Sequence, residues 1–204
     1  LYAGYKLADE SYISTEELDS IQIARQPDKT AYIVKDSFDK KGLVVDAVYK
    51  QTWNDGHVTY RTEYNTSYDV DTETELKLTD TFVTVSKTDN GITRTADVGI
   101  TVSDEIVSTE LDHISIARHA DRLNYIKGEC FDKKGLVVDA VYKNTYRSGR
   151  ITYTVQENAA YSVDTEKKLM PDDISMDISF TDNGITKHTE EAVTVKDVFC
   201  VNYY

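Results

Sequence analysis

A run of thirteen residues occurs twice in this chain of 204. Phe38-Asp39-Lys40-Lys41-Gly42-Leu43-Val44-Val45-Asp46-Ala47-Val48-Tyr49-Lys50 returns unchanged from Phe131 to Lys143, an offset of 93. The same offset aligns Ile21, Ile23, Ala24 and Arg25 with Ile114, Ile116, Ala117 and Arg118, and Thr88–Thr93 with Thr181–Thr186. Over residues 21–102 about half the positions are identical, with no gap. Self-similarity on this scale means that one folding unit is used twice. The flanks repeat as well. Ser14-Thr15-Glu16-Glu17-Leu18-Asp19 resembles Ser108-Thr109-Glu110-Leu111-Asp112 with one extra Glu, and Gly4–Glu10 resembles Gly99–Glu105. Residues 1–13 are therefore expected to be the end of a preceding copy and a junction. Residues 14–103 form a first domain, and 104–204 a second with a C-terminal junction starting near Val195–Phe199. On this reading the chain, which begins with Leu1, is a fragment of a parent protein carrying at least three copies.

Within a copy the apolar residues alternate. Leu43, Val45, Ala47 and Tyr49 share one face of Gly42–Lys50, with Val44, Asp46, Val48 and Lys50 on the other. Period two with one apolar face is a half-buried strand. Ile21 and Ile23 start an earlier strand, and Val58 and Tyr60 a later one after an Asp55-Gly56 turn (Ser148-Gly149 in the second copy). Phe82–Ser86 and Val98–Val102 are two more. Between them, Asp89-Asn90-Gly91 is the signal of a type I′ hairpin, because Asn-Gly accepts positive φ at both central positions. No segment of either copy has helical periodicity. Short antiparallel strands with turn signals about every 8–15 residues give an all-β fold. Two sheets are needed to cover the apolar faces, at about 1.5–3 kcal/mol per buried side chain.

Charge adds little. The net −13 concentrates outside the copies: residues 21–102 carry −3 and 114–195 carry −2, whereas 1–20 and 103–113 carry −4 each. No basic stripe is present, so nucleic-acid binding is not expected. No run approaches the ~18 apolar residues of a membrane span, so this fragment is not expected to insert. The two cysteines are Cys130 and Cys200. The first copy has Ser37 in place of Cys130, so the fold needs no thiol there, and two free thiols are expected rather than a disulfide.

Several of these residues form a recognisable pattern. Lys29-Thr30-Ala31-Tyr32, Phe38–Val45, Tyr49 and Asp55-Gly56 resemble the group 3 bacterial immunoglobulin-like family. In the second copy Tyr125-Ile126-Lys127-Gly128-Glu129-Cys130-Phe131-Asp132 resembles that family's Tyr-x-x-Gly-Glu-x-Phe-Asp still more closely. The Tyr49–Gly56 segment is longer than the family's usual turn, and a Gly common before the strand at Phe82 is missing. The resemblance implies two tandem immunoglobulin-like β-sandwich domains. It also implies an extracellular or bacterial cell-surface location and no shared catalytic site.

Candidate chemistry is sparse. Asp69-Val70-Asp71-Thr72-Glu73 resembles an acidic calcium loop, but the second copy reads Ser162-Val163-Asp164-Thr165-Glu166, so a polar turn is expected. Trp53, Tyr60, Tyr64 and Tyr68 could form a platform for sugar rings. Tyr60 and Tyr68 recur as Tyr153 and Tyr161 and are assigned to the fold. Trp53 and Tyr64 are left as ligand-binding candidates. His57, His113, His119 and His188 are not at equivalent positions and read as isolated surface residues. No catalytic or metal motif stands out, and no cofactor is expected. The expected function is a non-catalytic spacer in a secreted or surface-anchored protein, with neighbouring repeats as its partners. The alternatives are an adhesive module binding glycan or host protein, and an accessory domain of a secreted enzyme.

Overall fold

The computed structural model describes residues 11–197. The strand and junction expected over Gly4–Glu10, the end of the junction at Val198-Phe199, and Cys200 lie outside these residues. Every regular element described is a strand. Contacts part the chain between Glu105 and Ile106 into two compact units.

The first unit contains β1 (Ile13–Arg25), β2 (Ala31–Ile33), β3 (Val44–Trp53), β4 (Val58–Glu63), β5 (Asp69–Val70), β6 (Phe82–Asp89), β7 (Ile92–Gly99) and β8 (Thr101–Ser103). Two antiparallel sheets, β1-β3-β4 and β5-β6-β7, enclose the core, and β2 pairs in parallel with β8. The second unit contains β9 (Ile106–Arg118), β10 (Asn124–Ile126), β11 (Val137–Tyr146), β12 (Ile151–Gln156), β13 (Ser162–Val163), β14 (Ser175–Asp182), β15 (Ile185–Ala192) and β16 (Thr194–Lys196). Each begins and ends 93 residues after its counterpart, and the pairings match.

The alternation in the repeated strand sorts its residues as expected except at Asp46, which is buried although it lies on the opposite face. Val45 and Ala47 are fully buried, with Leu43 and Tyr49 nearly so. They meet Leu18 and Ile21 from β1, Val85 from β6 and Val98 from β7 in one cluster. The second unit repeats this with Leu111, Ile114, Leu136, Val138, Ala140 and Ile178. These are all-β folds of sandwich type.

Four details differ from the sequence reading. The ladder of β3 starts at Val44 and continues to Trp53, and β1 starts eight residues before Ile21. Val98–Val102 is not one strand. The chain leaves the β6 ladder after Gly99 and joins β2 from Thr101, with Val98 buried before the switch and Ile100 buried within it. Alternation runs through the switch, so periodicity could not show it. The extra Glu is not an insertion: Glu16 pairs with Gln51 and Thr109 with Asn144, so the offset of 93 holds through β1 and β9.

The thirteen repeated residues hold the framework together. Tyr32 lies against Phe38, its hydroxyl donates to the Lys29 carbonyl, and it accepts from Asp39 N–H. Asp39 caps Lys41 N–H, and Lys41 carbonyl accepts from Asp28 N–H. Gly42 has φ +85 and touches Asp28 so closely that a Cβ would lie 2.2 Å from its carboxylate, while its carbonyl accepts from Arg25. Leu43 carbonyl accepts from the Tyr68 hydroxyl, Val45 carbonyl from Thr66 N–H, and the Asp46 carboxylate from Asn65 N–H. The second unit has these bonds at Tyr125, Asp132, Lys134, Gly135, Leu136, Val138 and Asp139. The motif of the second copy is structural in the same way. Gly128 sits at φ +89, and Glu129 accepts from Ile126 N–H and pairs with Arg122. In the first unit Lys35 takes that left-handed position at φ 70, and Asp36 does the work of Glu129 for Ile33 N–H and Lys29.

Candidate functional site

Trp53 closes the β3–β4 hairpin. Its N–H donates to His57 carbonyl, and Gly56, at φ +86, donates back to Trp53 carbonyl. Asp55 accepts from His57 N–H and contacts the imidazole Nδ1 at 2.5 Å, which holds the ring parallel to the indole, with centroids 4.9 Å apart. These bonds, led by the one from His57 N–H, keep the Asp55 carboxyl below its ordinary range.

From the indole a polar chain runs across the sheet. Trp53 Nε1 donates to Thr59 Oγ1 (2.9 Å), Thr59 donates to Gln51 Oε1 (3.1 Å), and Gln51 Nε2 donates to Glu16 Oε2 (2.5 Å). Arg61 Nη2 donates to Glu16 Oε1 at 2.6 Å, and its guanidinium lies 4.5 Å from the centre of the Tyr49 ring. The bond from Arg61, then the one from Gln51, lowers the Glu16 pKa. Burial, then the negative charges of Glu63 and Asp89, pushes the Tyr49 phenol up to about 12. Beyond Arg61 the charges continue through Glu63 to Lys87 at 3.8 Å.

The second unit builds the same end differently. Tyr146 replaces Trp53, with Arg150 3.6 Å from the ring centre in place of His57. Thr109, Asn144 and Thr154 form a neutral chain where Glu16, Gln51 and Arg61 stand. A flat aromatic face beside carboxylate, amide and guanidinium groups, as in the first unit, is chemistry that can stack and hydrogen-bond a sugar ring.

Trp53 and Tyr64 do not form one platform. Trp53 is half-buried at the hairpin, whereas Tyr64, 76% exposed, follows the far end of β4. Six strand residues separate these ends, on the order of 20 Å. Tyr68 is a fold residue as expected, since its hydroxyl bonds Leu43 carbonyl as that of Tyr161 bonds Leu136. Tyr60 is not. It is 63% exposed on the outer face of β4, and Tyr153 is likewise exposed. The histidines are surface residues as expected but not isolated: His57 lies beside Asp55, His113 beside Asp112, His119 beside Glu191 and His188 beside Asp177. Asp71 behaves as the polar turn predicts, accepting from Glu73 N–H, Thr74 N–H and the Thr74 hydroxyl. Cys130 is a half-buried free thiol directed at Glu166 carbonyl. Glu16, Gln51 and Arg61 carry no motif that marks them in the sequence. They lie far apart in the chain and differ between the copies, so only the strand register brings them together.

An open depression of about 400 Å³ lies away from the aromatic end, lined by Asp164, Lys167, Met176 and Asp177. Its counterpart at Asp71, Thr74 and Phe82 is about 240 Å³. In comparisons with known proteins, the chain matches no family model and no curated protein. The class that the fold defines is an all-β protein of sandwich type.

Proposed function

We propose that this chain is a structural spacer: tandem immunoglobulin-like modules of a secreted or surface-anchored bacterial protein that hold a functional domain away from the cell wall rather than act by chemistry. The observation that carries this reading is the use of the repeated residues. What the two units share most strictly is the set of framework bonds around Phe38–Lys50 and Phe131–Lys143. The hairpin end carrying Trp53 is where they differ. A unit selected for a shared contact would keep the contact. Strands of about 8–10 residues extend about 25–35 Å, a length that a single unit can span.

The rival reading, an adhesive module, draws on one feature of the first unit, the Trp53–His57 stack beside Glu16, Gln51 and Arg61. A glycan and extracellular-matrix array probed with the whole chain separates the two. The spacer reading predicts no saturable binding tighter than about 1 mM, near −4 kcal/mol. Micromolar binding abolished by Trp53→Ala would replace it with the adhesive one.

A further inference from the structure

β12 is an edge strand, hydrogen-bonded only to β11 among the described residues. Its sequence is Ile151-Thr152-Tyr153-Thr154-Val155-Gln156, without a single charge. Ile151, Tyr153 and Val155 all point to the outer face and are 48%, 57% and 57% exposed. Edge strands are ordinarily protected by charge, because an open row of N–H and C=O groups is a template for another strand. The equivalent edge in the first unit has that protection: β4 carries Arg61 and Glu63 at the places of Thr154 and Gln156.

The β12 sequence also has a symmetry. Around Tyr153 it reads the same in both directions by residue type: β-branched aliphatic, Thr, Tyr, Thr, β-branched aliphatic. Two such strands laid antiparallel about a two-fold axis at Tyr153 place Ile151 opposite Val155, Thr152 opposite Thr154, and Tyr153 opposite itself. Aromatic, β-branched and Thr–Thr pairs are the favourable cross-strand combinations. The flanks agree. Arg150 precedes the strand and Glu157 follows it, so this register brings the basic end of each strand to the acidic end of the other, twice. A chain of net charge −13 repels its own copies over most of its surface. An uncharged strand with complementary ends is where that repulsion is least. Beside the strand on the same face, Lys143 stands opposite Tyr153 in one ladder and Glu110 in the other, so the adjoining positions carry one charge of each sign.

We propose that β12 is a self-recognition edge, through which a second copy of this chain adds its own β12 in antiparallel register centred on Tyr153. The two sheets join into one of six strands, an isologous contact of the kind two-fold dimers use. The contact is a single strand wide, well short of the roughly 1,200–2,000 Å² of stable complexes, so the dimer is weak and forms where copies are crowded. This inference does not depend on the spacer reading.

The test is sedimentation equilibrium of the whole chain from about 10 µM to about 1 mM, the affinity range of small interfaces. The expected result is a reversible monomer–dimer equilibrium. Tyr153→Lys, at an exposed position that folding tolerates, weakens it at least about tenfold. Tyr60→Lys on the β4 edge leaves it unchanged. Register is read separately in a Cys130→Ser, Cys200→Ser background. Facing Cα atoms in an antiparallel ladder are about 4.5–5.5 Å apart, within disulfide reach. Ile151→Cys chains mixed with Val155→Cys chains therefore cross-link under oxidised glutathione, and neither does so alone. A monomer throughout the range, an equal loss with Tyr60→Lys, or cross-linking by either variant alone overturns the proposal.

Discussion

Glu191 shows how the two units part at single residues. It is completely buried on β15, at the place of Val98 in the first unit. Its Oε2 accepts from Ala120 N–H at 3.2 Å, and its Oε1 meets His119 Nδ1 at 2.8 Å. The first unit has Pro27 in place of Ala120, and proline has no N–H to satisfy. The differences are thus matched: a buried acceptor where the backbone donates, a hydrocarbon where it does not. An orphaned buried donor costs about 1–3 kcal/mol. Glu191→Val should therefore destabilise the second unit by about that amount in denaturant unfolding. Adding Ala120→Pro, which removes the donor, should recover part of the loss although each change alone is harmful. Strict additivity of the two would show that the pairing is coincidental.

At the scale of elements, β1 and β4 are joined through β3 by a charged bond that β9 and β12 lack. Glu16 and Arg61 make it, and the Glu16 carboxyl lies below its ordinary 4.5 because of Arg61 first and Gln51 second. A carboxylate whose folded pKa is lowered contributes stability that is complete above the unfolded pKa and lost as pH falls through the folded one. The melting temperature of the unmodified chain should therefore exceed that of Glu16→Gln at pH 7, and the gap should narrow towards pH 3. A gap independent of pH would mean that the side chain acts by packing alone. This bond was not legible in the sequence, because it depends on register across three strands. What was legible is local. Asn90 (φ 47) and Gly91 (φ 78) form the expected hairpin, and Asn183 (φ 47) with Gly184 (φ 80) repeats it. The buried face of β3 followed from period two. The sheet switch at Ile100, the outward-facing Tyr60 and the carboxylate partners of the histidines did not. Each depends on which strand lies alongside, and alternation carries no record of that. Of the candidate site, the position of Trp53 on a hairpin was readable from Asp55-Gly56, whereas its hydrogen-bonded neighbours were not.

Each unit, taken as a whole, is a framework of repeated residues carrying ends that are free to diverge. Amide hydrogen exchange resolved along the chain tests this most directly, since amides in the most stable framework exchange only through global opening. The slowest amides should come in pairs 93 residues apart, led by Leu43 with Leu136, Thr66 with Ala159, and Leu76 with Leu169, whose N–H groups bond the framework carbonyls. Amides of the hairpin ends at Gly56 and Gly149 should exchange faster, through local opening. If instead the greatest protection lay around Trp53, His57 and Thr59 of the first unit with no equivalent in the second, the repeated residues would not be the framework, and the spacer reading would lose its basis.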